Sequence, residues 1–288
     1  MTNILNDSRI SRLIEEALFE DIGLGDITSE SIIPSVMRGK AELLVKSNGV
    51  IAGLDVAALV FQLVDPEITF HREAEDGVFI QFNKIVGKID GPLVSILKAE
   101  RTVLNFLQRM SGIATLTRQF VGAVAGTNAK ITDTRKTAPG IRLLDKLAVK
   151  IGGGINHRFG LDDMVLIKDN HIEAAGGITN AIDQCLAYIK ASNIKIKIEV
   201  ETKNINEVQQ VLKYDGIHRI MLDNFKTEDM EKAVGLISGK FEVEASGNVG
   251  LENVREIAET GVDFISVGAL THSVKALDIA LNVTPTLN

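Results

Sequence analysis

Phe241-Glu242-Val243-Glu244-Ala245-Ser246-Gly247-Asn248-Val249-Gly250 reads as a short strand running into a polar glycine turn, with a helix predicted to begin near Leu251. The same unit recurs on both sides of it. Short β-branched runs at residues 130–134, 164–168, 195–200, 219–222, 241–245 and 264–267 alternate with longer segments of helical pattern. Alternation of strand and helix implies parallel pairing and hence an α/β sheet or barrel. Six strands are fewer than the eight of a complete barrel. Pattern alone therefore leaves an incomplete barrel and an open doubly wound sheet both standing.

Upstream the texture changes. From Ser8, the residues Ile10, Leu13, Ile14, Ala17 and Leu18 recur at helical spacing, and Gly23 and Gly25 punctuate the end. Residues 40–95 mix β-branched runs at 41–45 and 85–89 with a helical stretch at 54–63, which is α+β in character. Across residues 100–120, Val103, Leu104, Leu107, Met110, Ala114 and Leu116 hold a 3.6-residue period, weakened only by Gly112. This long helix is expected to bridge to the second domain.

Composition narrows the function. The chain has 288 residues, enough for one large domain or two ordinary ones. Its 31 Lys plus Arg against 38 Asp plus Glu give a net charge of −7, which argues against a broad phosphate-backbone footprint and so against nucleic acid. The single cysteine, Cys185, excludes an internal disulfide framework and a thiolate zinc site, and fits a reducing, cytoplasmic location. The longest apolar stretch, 49–64, is interrupted by Asp55, and the chain opens on polar residues, so neither a membrane span nor a signal peptide is expected.

Almost every predicted strand ends in a side chain that is costly to bury. Thr134 leads into Arg135 and Lys136, Lys168 closes its run, and Glu199 and Glu201 close another. Asp223 and Asn224 follow Leu222, Ser246 follows Ala245, and Gly268 follows Val267. The C-terminal strand ends form the active face of parallel α/β folds, so these groups are expected to converge on one pocket. Residues 246–250 and Gly268-Ala269 suit a phosphate cradle, because glycine lets backbone N–H groups approach an oxyanion. Arg135, Lys136, His157, Arg158, Lys168 and His171 form a cationic cluster in an acidic chain, suited to a small polyanion with carboxylates or phosphates. Gly152-Gly153-Gly154, just before His157, indicate backbone held close to a neighbour. The spacing of the histidines matches no familiar zinc motif. Glu199, Glu201 and Asp223 are better metal candidates, since carboxylates hold Mg²⁺ together with substrate phosphates. Glu199 and Glu201 share a face only while their strand stays regular, which leaves open which of them faces the metal.

Several longer strings carry a resemblance. They are residues 20–28 (EDIGLGDIT), 100–105 (ERTVLN), 111–115 (SGIAT), 134–137 (TRKT), 152–161 (GGGINHRFGL) and 167–171 (IKDNH), followed by 199–201 (EVE), 221–224 (MLDN), 244–248 (EASGN) and 266–269 (SVGA). Together they closely resemble the quinolinate phosphoribosyltransferases, also called carboxylating nicotinate-nucleotide pyrophosphorylases, over nearly the whole chain and in the family's order. The main local departure is Asp162, between Leu161 and Asp163.

The resemblance implies an α/β fold, an incomplete TIM-like barrel over 114–271 joined to an N-terminal α+β domain over 1–113 to which 272–288 return. It implies that quinolinate and phosphoribosyl pyrophosphate, with Mg²⁺, give nicotinate mononucleotide, pyrophosphate and carbon dioxide in NAD biosynthesis. By motif position, Arg101, Arg135, His157, Arg158, Lys168 and His171 resemble the quinolinate set. Lys136, Glu199, Asp223, Ser246, Gly247, Asn248, Val267, Gly268 and Ala269 resemble the phosphoribosyl pyrophosphate and metal set, and Thr134 and Glu201 are added to the substrate-binding residues. Lys136, Glu199 and Asp223 are the expected catalytic groups, with Glu199 and Asp223 at the metal. The resemblance further implies a homodimer with shared active sites, or an assembly of such dimers, in which the arginine matching Arg101 reaches the neighbouring subunit. Two competing readings are a Schiff-base aldolase using Lys136 or Lys168 and a regulator that binds phosphoribosyl pyrophosphate without turnover. A barrel paralogue associated with molybdate transport is a third; the Lys168-Asp169-Asn170-His171 string favours quinolinate.

Overall fold

The structure, a computed structural model, describes residues 8–286. Its contacts divide the chain into two units. One takes in the chain up to Arg118, Thr137–Gly153 and the chain from Ser273; the other comprises Gln119–Lys136 and Gly154–His272.

In the first unit, β1 (Arg38–Val45) pairs antiparallel with β5 (Lys84–Pro92), which pairs in turn with β3 (Thr69–Arg72). Two short strands, β2 (Gly49–Val50) and β4 (Phe79–Ile80), form a separate ladder. Along β1 the residues Gly39, Ala41, Leu43 and Val45 are buried at every second position, the period of a strand with one face on a core. The chain's last strand, Ile279–Pro285, runs antiparallel along the free edge of β1 with Leu281 opposite Leu43, so the C-terminus does return to the N-terminal sheet. The helix Ser8–Ile22 buries Ile10, Ile14 and Leu18 along one stripe.

The long helix runs Leu93–Ala123, starting directly from β5. Gly112 is there because the C-terminal segment passes against it, and a Cβ at this position would lie 2.3 Å from the Lys275 carbonyl oxygen. Residues 137–153, within the range expected for the barrel, group with this helix instead. They carry the helix Arg142–Ile151, whose fully buried Asp145 accepts two hydrogen bonds from Arg109, each 2.8 Å. Gly152 packs against the same long helix, where a Cβ would sit 2.6 Å from the Ala114 carbonyl oxygen. The close approach expected of this glycine is therefore made to the protein's own backbone.

The second unit holds all six expected strands: β6 (Lys130–Thr132), β7 (Val165–Ile167), β8 (Ile198–Thr202), β9 (Arg219–Asp223), β10 (Glu242–Ser246) and β11 (Phe264–Ser266). They form one parallel sheet in the order β6-β11-β10-β9-β8-β7. Strand order rises in one direction from β7 to β11 and is completed by β6, without the reversal that marks a doubly wound sheet. The sheet is that of an incomplete barrel, open between β6 and β7, and a single parallel bridge from Thr132 to Ile155 extends the β6 edge. Among the described residues, no helix is long and apolar enough to cross a membrane.

Candidate active site

The polar residues of the parallel sheet lie in three levels along its strands. At the N-terminal end, Arg219 opens β9 and stacks its guanidinium 3.8 Å above the Phe264 ring. It also donates to Glu242 on β10, at 3.0 Å. One step along, Arg219 reaches Glu244 at 2.7 Å, a fully buried carboxylate. Beside Glu244 lies Glu199 of β8, also fully buried, and between the two carboxylates lies the imidazole of His157. His157 Nε2 is 2.9 Å from Glu199 and 3.4 Å from Glu244. Glu201, two residues beyond Glu199 on a regular strand, points to the same side but stands one level higher.

Charge in the middle level is finely balanced. Burial alone favours a neutral imidazole, but the two glutamates outweigh it and lift His157 to about 9. Burial, then the repulsion of Glu244, raises Glu199 to about 7 against the pull of His157 and Arg219. Burial also pushes Glu244 up, but His157 and Arg219 overcome it and hold this carboxyl below its ordinary value. The ring is held from its other edge as well. The backbone N–H of Arg158 donates to His157 Nδ1 at 2.8 Å, which keeps the proton on Nε2 facing Glu199; a doubly protonated ring needs that bond to open. Both ring nitrogens of His157, placed among the quinolinate contacts by the resemblance, are thus engaged with the protein itself.

Above this level the residues change from paired to available. Arg135, after β6, and Arg158 lie close enough that Arg135, second to burial, depresses the Arg158 guanidinium below its ordinary value. One Arg158 nitrogen donates to the Met164 carbonyl at 3.0 Å, but the Nε atoms of both arginines are buried and without a hydrogen-bond partner. Two adjacent guanidinium groups with buried unpaired donors call for an anion. Lys168, at the end of β7, lies 3.5 Å from Glu201. His171 uses Nδ1 to accept from the Lys168 N–H at 3.0 Å, capping the helix Asp169–Ala174. Burial raises Glu201, and the Asp223 and Asp169 carboxylates raise it further against Lys168.

The glycine segments lie beside this mouth. Ser246 is the register partner of Asp223, and Gly247 and Asn248 follow it at φ +93° and +48°. The helix expected near Leu251 begins instead at Val254, because the Asn253 side chain accepts from the Gly250 N–H and closes a turn ahead of it. The segment expected to cradle a phosphate is therefore loop backbone, not a helix end. On the other side, a Cβ at Gly268 would lie 3.1 Å from the His272 ring and 3.2 Å from the Lys136 side chain, so these three residues are neighbours. Thr134 Oγ1 accepts from the Lys136 N–H, and Thr271 donates to the Lys136 carbonyl. Val267 has a buried side chain, and its N–H is taken by the Thr132 carbonyl.

Arg101 is exposed on the long helix of the first unit. Three residues of this region carry no role in the sequence pattern: Arg219 and Glu244, which look like ordinary strand residues, and His272. For Glu244 the available signal is the Glu-x-Glu alternation of 242–244, which mirrors 199–201.

Comparison with known proteins covers nearly the whole described chain. A family model described as quinolinate phosphoribosyl transferase, C-terminal domain, matches residues 113–282, and its N-terminal counterpart matches 26–111. The tobacco (Nicotiana tabacum) quinolinate phosphoribosyltransferase (decarboxylating) 1b is 49% identical over 286 residues, covering 94% of this chain and 81% of its own. The chloroplastic nicotinate-nucleotide pyrophosphorylase (carboxylating) of Arabidopsis thaliana is 48% identical, covering 95% and 82%. Among solved structures, NadC from Streptococcus pyogenes superposes with a TM-score of 0.91 at 38% identity, over 96% of this chain and 97% of that one. The nicotinate-nucleotide pyrophosphorylase from Francisella tularensis gives 0.90 at 39% identity, over 99% and 100%.

Proposed function

The chain belongs to the quinolinate phosphoribosyltransferase family, and on that premise we infer that it transfers phosphoribosyl from phosphoribosyl pyrophosphate to quinolinate in NAD biosynthesis. The products are nicotinate mononucleotide, pyrophosphate and carbon dioxide. The observation that carries the reading at the level of residues is the pair of buried, unpartnered Nε donors on Arg135 and Arg158. Quinolinate is a small aromatic dianion, and the two guanidinium forks match its carboxylates, with Lys168 and His171 joining them by motif position.

We propose that Arg135, Arg158 and Lys168 orient the ring so that its nitrogen faces C1 of the ribose. The nitrogen lone pair forms the new N–C1 bond while the C1–O bond to pyrophosphate breaks, and Lys136 stabilises the departing charge. The ring nitrogen is then cationic. When the C2–carboxylate bond breaks, its electron pair stays on C2 beside that positive charge until a proton replaces the carbon dioxide lost. Glu201 and Asp223 fit a magnesium ion, being hard oxygen donors at the mouth whose mutual repulsion a cation relieves. Bound there, Mg²⁺ supplies charge that offsets the pyrophosphate. This gives Glu201 the part that the resemblance gave Glu199, because Glu199 is enclosed beneath with His157. Arg158→Ala should weaken quinolinate binding by about 1.5–3 kcal/mol and leave phosphoribosyl pyrophosphate affinity nearly unchanged, the scale of a charge-assisted hydrogen bond. Calorimetry showing the reverse pattern would exchange the two subsites.

We also propose a symmetric homodimer that shares its active sites. Exposed Arg101 supports it, and so do the exposed apolar side chains of Phe19, Leu24, Ile27, Ile32 and Val36, close together in sequence in the first unit. Suppose that Arg101→Ala and Arg158→Ala subunits are unfolded and refolded together in equal amounts and assayed at a quinolinate concentration too low for either variant alone to turn over, with the two sites acting independently. Random pairing makes half the dimers mixed, and each mixed dimer has one site free of both substitutions, so activity should return to roughly a quarter of wild type. Mixed dimers that form and remain inactive would place Arg101 in its own subunit's site. The lone cysteine supports a reducing, cytoplasmic location, whereas the plant relatives include chloroplastic and mitochondrial proteins.

A further inference from the structure

Between the metal-side carboxylate and the phosphate cradle stands a residue with no part in the chemistry above. Asn224 follows Asp223 at φ +55°, a left-handed conformation unfavourable for most side chains and best tolerated by asparagine. Its backbone N–H donates to the Ser246 carbonyl at 2.8 Å, so the two strand ends are bonded at this point. Its side chain continues the connection in both directions. Asn224 Nδ2 donates to Asp223 Oδ2 at 2.8 Å, and Asn224 Oδ1 accepts from Asn248 Nδ2 at 2.9 Å. Chemistry fixes this orientation of the amide, because an ionised carboxylate can only accept, which leaves the oxygen to face Asn248. From Asn248 the chain of bonds runs on, its carbonyl accepting from Asn253 Nδ2 at 3.0 Å and Asn253 Oδ1 accepting from the Gly250 N–H at 2.9 Å. The fit is close. A Cβ on Gly247 would lie 2.2 Å from Asn224 Oδ1, so the loop passes Asn224 at a distance that only glycine permits.

We propose that Asn224 is a positioning residue that ties the Asp223 carboxylate to the loop at Gly247 and Asn248, so that the metal-side carboxylate and the phosphate cradle are held as one piece. The proposal rests on the reading of Asp223 and residues 246–248 given above, and it goes beyond that reading by making metal and pyrophosphate binding depend on a side chain that touches neither. Asn224 aims one Asp223 oxygen sideways, leaving the other for a cation, and it holds the loop N–H groups at a fixed distance from that cation.

The test uses Asn224→Gly, which removes the amide while easing the left-handed backbone, so the fold is not put under strain. Pyrophosphate binding is followed by calorimetry across a series of Mg²⁺ concentrations, and quinolinate binding is measured on the same protein. The Mg²⁺ needed for half-maximal pyrophosphate binding should rise about five- to tenfold, while quinolinate affinity stays within about twofold. Asn248→Ala should have a similar effect, and the double variant should be little worse than either single one, because both break the same connection. Loss of quinolinate and pyrophosphate affinity together would mean a merely structural residue and would overturn the proposal. So would an unchanged Mg²⁺ requirement in Asn224→Gly when Asp223→Asn raises it. If Asp223→Asn also leaves the Mg²⁺ requirement unchanged, the metal reading of Asp223 fails first and takes the role of Asn224 with it.

Discussion

Nicotinate, which differs from quinolinate by lacking the 2-carboxylate, should be used with a kcat/KM roughly 10⁴-fold below that of quinolinate. The expectation follows from what the smaller ligand leaves behind. Arg135 and Arg158 each carry a buried Nε donor without a partner, and burial together with the other guanidinium already works against the charge on Arg158. A ligand with one carboxylate satisfies part of this set and strands the rest away from water. Sites built around a buried polar group reject analogues that lack it by roughly 10⁴–10⁵, far more than a missing methylene would cost. Steady-state kinetics with both compounds under saturating phosphoribosyl pyrophosphate measures the ratio. A ratio near ten would mean that the arginines do not grip both carboxylates.

The second large effect is on stability. Glu244→Ala should lower the unfolding free energy by about 3–5 kcal/mol, the usual cost of removing one member of a buried ion pair. Glu244 is completely buried between Arg219 and His157, and its loss leaves the Arg219 guanidinium without its 2.7 Å partner. A protein of this size should then melt roughly 5–8 °C lower. Adding Arg219→Met should recover part of the loss, because no stranded charge remains at that position. By contrast, Arg12→Ala breaks an exposed i, i+4 pair with Glu16 and should change stability by less than about 0.5 kcal/mol. Thermal unfolding of the four proteins measures the difference, and equal small shifts for Glu244→Ala and Arg12→Ala would mean that the buried cluster contributes little.

Much of this architecture is legible in the order of residue types along the chain. Six β-branched runs separated by helical segments announce a parallel sheet, and all six are strands, with ends shifted by a few residues. The run at 195–200 lies at 198–202 because register pairing begins at Ile198, opposite Val165, and continues through Glu201 and Thr202, opposite Met221 and Leu222. Period does not reveal the grouping of residues 137–153. Their helix has an amphipathic pattern that suits any core, and its place depends on Arg109, distant in sequence, finding Asp145.

The site is legible as a set of residue types and not as levels. Glu199 and Glu201 are indistinguishable as alternating strand glutamates, yet a single step along the strand separates a carboxylate enclosed with His157 from one beside Lys168. That depth is set by where the segment running on from the Thr132–Ile155 bridge places His157, and no local pattern encodes that placement. His157 likewise reads as a cation for substrate until its Nδ1 is found bonded to the neighbouring backbone. Arg219 and Glu244 meet through the register of two strands, so their pairing emerges only when β9 and β10 are aligned.

In the proposed mechanism one site couples transfer of phosphoribosyl to loss of the 2-carboxylate. This coupling is tested most directly with quinolinate carrying labelled carbon in that carboxylate, incubated with the protein, Mg²⁺ and phosphoribosyl pyrophosphate. Labelled carbon dioxide, pyrophosphate and nicotinate mononucleotide should form in a one-to-one-to-one ratio, and none should form when phosphoribosyl pyrophosphate is left out. Release of pyrophosphate with the label retained in the nucleotide, or release of labelled carbon dioxide without phosphoribosyl pyrophosphate, would contradict the account.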